Sequence, residues 1–366
     1  MPERVAVVGG GVIGLSCAWR LAQAGLAVTV FDAASEAREA SWAAAGMLAP
    51  HHEAESCDDR WRMGVASLLR WSTVAEELGG CQALDLQLGD GLLPLLQPSE
   101  RPAAAAHMAA LAAAGTPVTW LSRQELLQLE PGFGPAVEGA WLLPGGHVDP
   151  RRLVARLRRA GEVLGVVHAP PAAVTSIRPG RVTTATGEHS FMSVVVAAGA
   201  WTPALARTCG LVLAGEPVKG QLLRLQARVG LLGRFVHCPH AYLVPRQDGS
   251  VVVGATAVMS GFDKAEDRQA IELLAATARA ILPSLRDAPI TETWTGLRPR
   301  LAGGRPVIGP AAPGLVLATG HYRNGVLLAP ITADAVTAWV VGTPPPEATI
   351  PFAALPGTSH LEIGKS

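Results

Sequence analysis

Residues 4–32, RVAVVGGGVIGLSCAWRLAQAGLAVTVFD, decide the fold. The apolar run 5–8 predicts a strand, GGGVIG (9–14) a turn, the stretch to residue 24 a helix and 27–31 a second strand. In such a unit Gly9 allows the tight turn, Gly11 lets the backbone approach a pyrophosphate, and Gly14 lets helix and strand pack closely. The helix N-terminus then offers free N–H groups and its dipole to the phosphates. Asp32 ends the second strand 18 positions after Gly14, where a carboxylate meets ribose hydroxyls. The glycines alone would fit any glycine-rich structural turn. The strand before them, the helix after them and Asp32 make dinucleotide binding the reading. Arg4 before an apolar stretch also resembles the start of a secretion signal, but Gly9, Gly10, Gly11 and Gly14 punctuate that stretch.

Working outward, 366 residues suit two interleaved domains better than one core. A hydrophobic share of 49% is ample for globular cores. Zero formal charge argues against nucleic acid or an anionic membrane as the main partner. In the densest basic group, Arg151, Arg152, Arg156, Arg158 and Arg159, a helix would put Arg152, Arg156 and Arg159 opposite Leu153, Leu157 and Leu164, and the group reads as a solvated face. Cys17, Cys57, Cys81, Cys209 and Cys238 are odd in number and never form CxxC, which fits reduced thiols and a cytoplasmic location and predicts neither zinc nor a disulfide frame. No apolar run reaches the ~18 residues of a membrane span.

Further along, 61–130 reads as mostly helical, with breaks at Gly79-Gly80 and Pro98. Asp149-Pro150 predicts a capped helix over 151–164. Short strands are expected at 173–177, 181–184 and 192–197, and β alternation over 217–258. A helix is expected at 264–282. The end returns to a strand (316–319), a GHYRNG loop (320–325) and an apolar helix to about 341; the Pro-rich tail after 344 reads as peripheral. An α/β texture returning at the C-terminus favours a buried FAD spanned by both ends of the chain over NAD.

Five segments carry a more specific likeness: GGGVIGLSCAWRLAQAG (9–25), ASWAAAGMLAP (40–50), GATAVMSGFDK (254–264), TWTGLRPRLAGGRPVIGP (293–310) and ATGHYRNGVLLAP (318–330). Together they resemble the D-amino-acid oxidase superfamily, and within it glycine oxidase of the thiamine-biosynthesis type, over essentially the whole chain. The resemblance implies a Rossmann-like FAD-binding domain (1–83, 145–216 and 296–366) interleaved with a substrate domain on a mixed or antiparallel sheet (84–144 and 217–295). It implies non-covalent FAD, a small amino acid and oxygen as substrates, and a homotetramer. Gly9, Gly11, Gly14 and Asp32 would hold the ADP half, with Val12 and Ile13 between them. Ser41, Ala44, Gly46 and Met47 would line the pyrophosphate, ribityl chain and flavin ring, and Val174 would present its backbone to adenine. Gly199, His321, Arg323, Asn324 and Gly325 are implied as further cofactor contacts. Arg298 is implied to bind the substrate carboxylate, with Tyr242, His240, Met47 and Arg323 nearby. The chain departs from the pattern at Arg300-Leu301-Ala302-Gly303, at Lys219 in place of an arginine, and at Ala257, where a bulkier Met in some relatives leaves the pocket size open.

The chemistry agrees with these residue types. A guanidinium is the planar two-donor group that matches a carboxylate, and both Arg298 and Arg323 are expected in turns dense in Gly and Pro. Tyr242 reads as a pocket wall, while His240 and His321 read as supporting groups rather than bases. Segments 240–246, 294–300 and 320–327 contain no Asp or Glu, which fits hydride transfer from Cα–H to flavin N5, a step that needs orientation rather than a strong base. Alternatives in the same superfamily are a D-amino-acid dehydrogenase and a sarcosine oxidase. Monomeric sarcosine oxidases attach FAD through a cysteine towards the C-terminus, and no cysteine follows Cys238 here. A catalytically silent nucleotide-binding module would have little use for the two arginines.

Overall fold

The computed structural model describes residues 3–34, 38–238, 241–353 and 362–363. The strand Arg4–Val8 pairs in parallel with Ala27–Phe31 on one side and Ser193–Val196 on the other. Leu315–Thr319 continues the parallel run, Val307–Ala312 closes one edge antiparallel and Val167–His168 closes the other, giving six strands. Both faces of this sheet are covered, so its central strands are apolar at nearly every position rather than at alternate ones. Val5 and Val7 enter a core built with the helices Val12–Gln23, Pro150–Val163 and Gly325–Val341; Ala6 and Val8 enter a second core on the opposite face. That second core is capped by an antiparallel meander of Val174–Arg178, Arg181–Thr184 and Gly187–Ser190.

A nine-stranded mixed sheet stands beside the first. It runs from Ile290–Leu301 through Gly215–Gln226, Ser250–Gly254, Ala241–Pro245 and Val236–Cys238 to Gln87–Leu95, Gly139–His147 and Met47–Leu48. Thr119–Ser122 pairs with Gly139–His147 as the ninth strand. All its pairings are antiparallel except the single parallel bridge between Val236 and Leu92. The helix Arg268–Ile281 covers its apolar face. Several strands run across the positions where the resemblance divides the chain: Gly139–His147 spans 144/145, Gly215–Gln226 spans 216/217 and Ile290–Leu301 spans 295/296.

Local signals account for several helix starts. Asp149 Oδ1 accepts from the N–H groups of Arg151 (2.8 Å) and Arg152 (3.2 Å), with Pro150 at the first position. The helix expected from 264 begins at Arg268, because Asp267 is the capping residue and accepts from Gln269 and Ala270 N–H. The stretch 61–130 is not uniformly helical: Gln87–Leu95 is a strand zipped along the whole of Gly139–His147, and this long-range pairing overrides local propensity. The C-terminal stretch is not merely peripheral either. Phe352 is buried in the first core and Arg305 stacks on its ring at 4.7 Å. Among the described residues no helix is long and apolar enough to cross a membrane.

Candidate active site

One cavity of about 940 Å³ runs along the carboxyl ends of the parallel strands, where Val8, Phe31, Ala197 and Thr319 line it, and reaches the nine-stranded sheet. Open α/β sheets bind ligands in this crevice. At one end lie Gly9, Gly11, Val12, Ile13, Asp32 and Val174; at the other lie Met47, Glu53, Tyr242, Arg298 and Arg323. Ser41, Ala44, Gly46, Gly199, His321 and Gly325 line the span between them.

The nucleotide end is held by its own hydrogen bonds. Asp32 Oδ2 accepts from Gly10 N–H at 2.5 Å, and Ser41 Oγ accepts from Val12 N–H at 2.9 Å. Gly14 lies behind the cavity rather than on it: a Cβ there would overlap the Gly9 carbonyl oxygen. Asn324 is likewise absent from the lining; it sits one residue before the helix Gly325–Val341 and donates its N–H to the His321 carbonyl at 2.9 Å. His321 is buried and its Nε2 pairs with Thr332 Oγ1 at 3.0 Å. Burial pushes its pKa down to about 3, so the ring is neutral.

The other end concentrates charge. Arg298 is not in a turn: it belongs to the strand Ile290–Leu301, paired with Val218, and its Nη1 donates to the Thr256 carbonyl at 2.9 Å. Its guanidinium lies across Gly220 on the neighbouring strand, where a Cβ would overlap it. Tyr242, on Ala241–Pro245, is hydrogen-bonded to Arg298 and lies against Gly254 of the next strand. Burial raises the Tyr242 pKa further, so the phenol keeps its proton. Arg323 comes from the loop before the last helix. Burial opposes its charge, but the Tyr322 hydrogen bond and Glu53 outweigh that and raise its pKa. Met47 packs with Trp42, Tyr242 and Phe235 as part of the cavity wall.

Two expectations change here. Ala257 is exposed and does not line the cavity, because Thr256 turns its carbonyl towards Arg298 while Val258 pairs with Lys219. Lys219 is buried and anchors this loop, donating to Asp263 Oδ2 (3.2 Å) and the Ala265 carbonyl (2.9 Å). His240 lies outside the described residues. The residue that sequence reasoning missed is Glu53. Each of the acid-free segments sends a residue to the site, Tyr242, Arg298 and Arg323, but Glu53 enters from a fourth segment and faces all three. Burial raises its pKa against the pull of Arg323 and then Arg298. The one available signal was a carboxylate six residues after Met47, just past the small apolar run expected against the flavin.

A strand–glycine–helix cradle with a carboxylate at the end of its second strand, opening into a cavity that receives one arginine from a second sheet and another from the loop before the last helix, defines a flavin-type oxidoreductase. The family described as "FAD dependent oxidoreductase" matches residues 4–339, and the chain belongs to that family. It is 33% identical to glycine oxidase of Bacillus licheniformis over 345 residues, covering 92% of this chain and 93% of that protein. It is 37% identical to the bifunctional protein ThiO/ThiG of a Synechocystis strain, covering 91% of this chain and 51% of that protein, so it spans about half the length of that relative. The crystal structure of glycine oxidase from Geobacillus kaustophilus superposes with a TM-score of 0.91 at 31% identity, covering 96% of this chain and 99% of that one. FAD is the cofactor of the family, and the residues present fit it: backbone donors and Asp32 at one end, a long cavity, and close-packed glycines where a Cβ would intrude.

Proposed function

We propose that this protein oxidises the amine of a small amino acid, with glycine the leading substrate. The reaction is glycine plus oxygen and water to glyoxylate, ammonia and hydrogen peroxide. The observation that carries the reading is the meeting of Arg298, Arg323 and the Tyr242 hydroxyl at the end of the cavity away from Asp32. When bound, without a covalent link, FAD supplies the two-electron acceptor that takes a hydride from Cα and passes the electrons to oxygen.

The protein's part is placement. With Nη1 spent on Thr256, Arg298 keeps further donors of its fork for a carboxylate. Gly220 beneath it and the Tyr242 hydrogen bond fix the plane of that fork. Arg323 adds a second positive group to the same end, while Met47 and Tyr242 limit the room beyond Cα. The relatives named glycine oxidase support the amine substrate, and the fused ThiO/ThiG relatives support a role in thiamine thiazole synthesis.

The test is kcat/KM for glycine, sarcosine, D-alanine, D-proline and D-phenylalanine at one oxygen concentration. Glycine and sarcosine should lead and D-phenylalanine should be nearly inert. A methylene-scale misfit costs only ~1–3 kcal/mol, so D-alanine should be slower by ~10- to 200-fold rather than excluded. A clear preference for bulky D-amino acids would overturn the glycine assignment.

A further inference from the structure

An amino acid enters solution chemistry near neutral pH as a zwitterion, and an ammonium nitrogen has no lone pair. Hydride can leave Cα only as that lone pair forms the C=N bond, so one proton must leave the nitrogen first. The question is which group in the cavity takes it.

Three carboxylates line the cavity among the described residues: Asp32, Glu39 and Glu53. Asp32 is at the nucleotide end, bonded by the N–H groups of Gly10 and Ala34. Glu39 is paired with Lys264 through both oxygens, at 2.9 and 3.0 Å. Glu53 alone faces Arg298, Arg323 and Tyr242, and its buried Oε2 accepts no hydrogen bond. A buried carboxylate oxygen without a donor is costly unless something completes it. A substrate ammonium supplies the missing donor.

The other groups around Glu53 cannot take the proton. Arg298 and Arg323 have none of the needed acceptor capacity, and the Tyr242 phenol already holds its proton. His237 stands directly across from Tyr242 in the sheet; burial and Arg323 push its pKa down to about 4. His52, beside Glu53 in the chain and 6.3 Å from the His237 ring, is pushed down to about 3 by burial and by His237. His51 is pushed down to about 4 by burial and accepts from Trp61 Nε1 at 3.0 Å.

Resting on the amine-oxidation reading, we propose that Glu53 is a catalytic residue that binds the substrate ammonium and takes its proton, so that the amine reacts in its neutral form. The N–H bond breaks, the proton moves to Oε2 and the electron pair stays on nitrogen. The Cα–H bond then breaks with its pair leaving as hydride to the flavin, while the nitrogen lone pair forms C=N. Glu53 returns its proton to water before the next turnover.

The experiment uses the FAD-bound enzyme and two readouts. The first is the anaerobic rate of flavin reduction by glycine against pH. In the parent it should rise as Glu53 loses its proton, above the ordinary carboxylate range, and then level off. In Glu53→Gln it should be about 10²-fold lower or more near neutral pH and should climb only as glycine's own amine deprotonates, converging on the parent there. The second is glycolate, a carboxylate without an amine, titrated by its perturbation of the flavin spectrum. Its Kd in the parent should tighten about tenfold as pH falls through the Glu53 pKa. Glu53→Gln should bind it tightly throughout, with any residual tightening near pH 4 belonging to the neighbouring histidines His237 and His51. A Glu53→Gln enzyme with the parent's pH profile overturns the proposal. If that variant holds no flavin, the parent decides alone, and a glycolate Kd indifferent to pH overturns it. If no amine reduces the parent flavin, amine oxidation fails instead, and the glycolate titration still reads Glu53 separately.

Discussion

Arg298→Ala is expected to lose kcat/KM for glycine by a factor between about 30 and several thousand, while the protein keeps its flavin. The loss follows from removing one partner of a hydrogen-bonded charge pair with the substrate carboxylate, roughly 2–5 kcal/mol. Flavin retention follows from where the residue sits: its strand is held along its whole length by Gly215–Gln226, and the bonds of Asp32 to Gly10 and of Ser41 to Val12 do not involve the Arg298 side chain. Arg298→Lys should recover less than a tenth of the parent value, because an ammonium cannot donate from two points in one plane and the Gly220 shelf is shaped for a flat group. Steady-state kinetics with glycine, alongside flavin absorbance of each purified variant, checks both. A lysine variant within about threefold of the parent would show that Arg298 does not bind the carboxylate in a bidentate way.

Gly14→Ala should cost the protein its cofactor. The added Cβ would overlap the Gly9 carbonyl oxygen and sit 3.3 Å from Val7 Cγ1. The first contact is backbone, so no rotamer change relieves it, and the helix Val12–Gln23 must move off the Arg4–Val8 strand. Overpacking of this kind costs about 1–3 kcal/mol, and it falls on the turn that presents the Gly11 N–H group. The parent should stay yellow through gel filtration and release free FAD on acid precipitation; Gly14→Ala should elute nearly colourless with a Tm several degrees lower. Gly25→Ala is the control. Its φ of +85° makes alanine strained there, about 1–2 kcal/mol, but nothing lies within 4 Å of the new Cβ and FAD should stay bound. A fully flavinated Gly14→Ala would contradict the role given to close helix–strand packing.

The nucleotide end was legible because its physics is local. A strand, a glycine turn and a helix lie within 32 residues, so spacing alone specifies them, and the Asp149 cap is equally short-range. The substrate end is assembled from segments that are far apart in the chain and meet only through sheet pairing. Arg298 reads as a turn residue in GLRPR because glycine and proline flank it; the eleven residue pairs between Gly215–Gln226 and Ile290–Leu301 make it a strand residue. Gln87–Leu95, rich in glycine and leucine, has no strand signal of its own until Gly139–His147 lies beside it. Glu53 is the sharpest case. Nothing in its neighbours His51 and His52 says that it will face two arginines delivered from residues 298 and 323.

The central claim is that a small amino acid delivers two electrons to FAD in this cavity. Its most direct test is anaerobic mixing of the purified yellow protein with glycine, following the flavin absorbance and the glyoxylate formed. The flavin should bleach with about one glyoxylate formed per flavin, and the yellow colour should return with peroxide when air is admitted. A flavin that stays oxidised with glycine, sarcosine and D-alanine alike would contradict it.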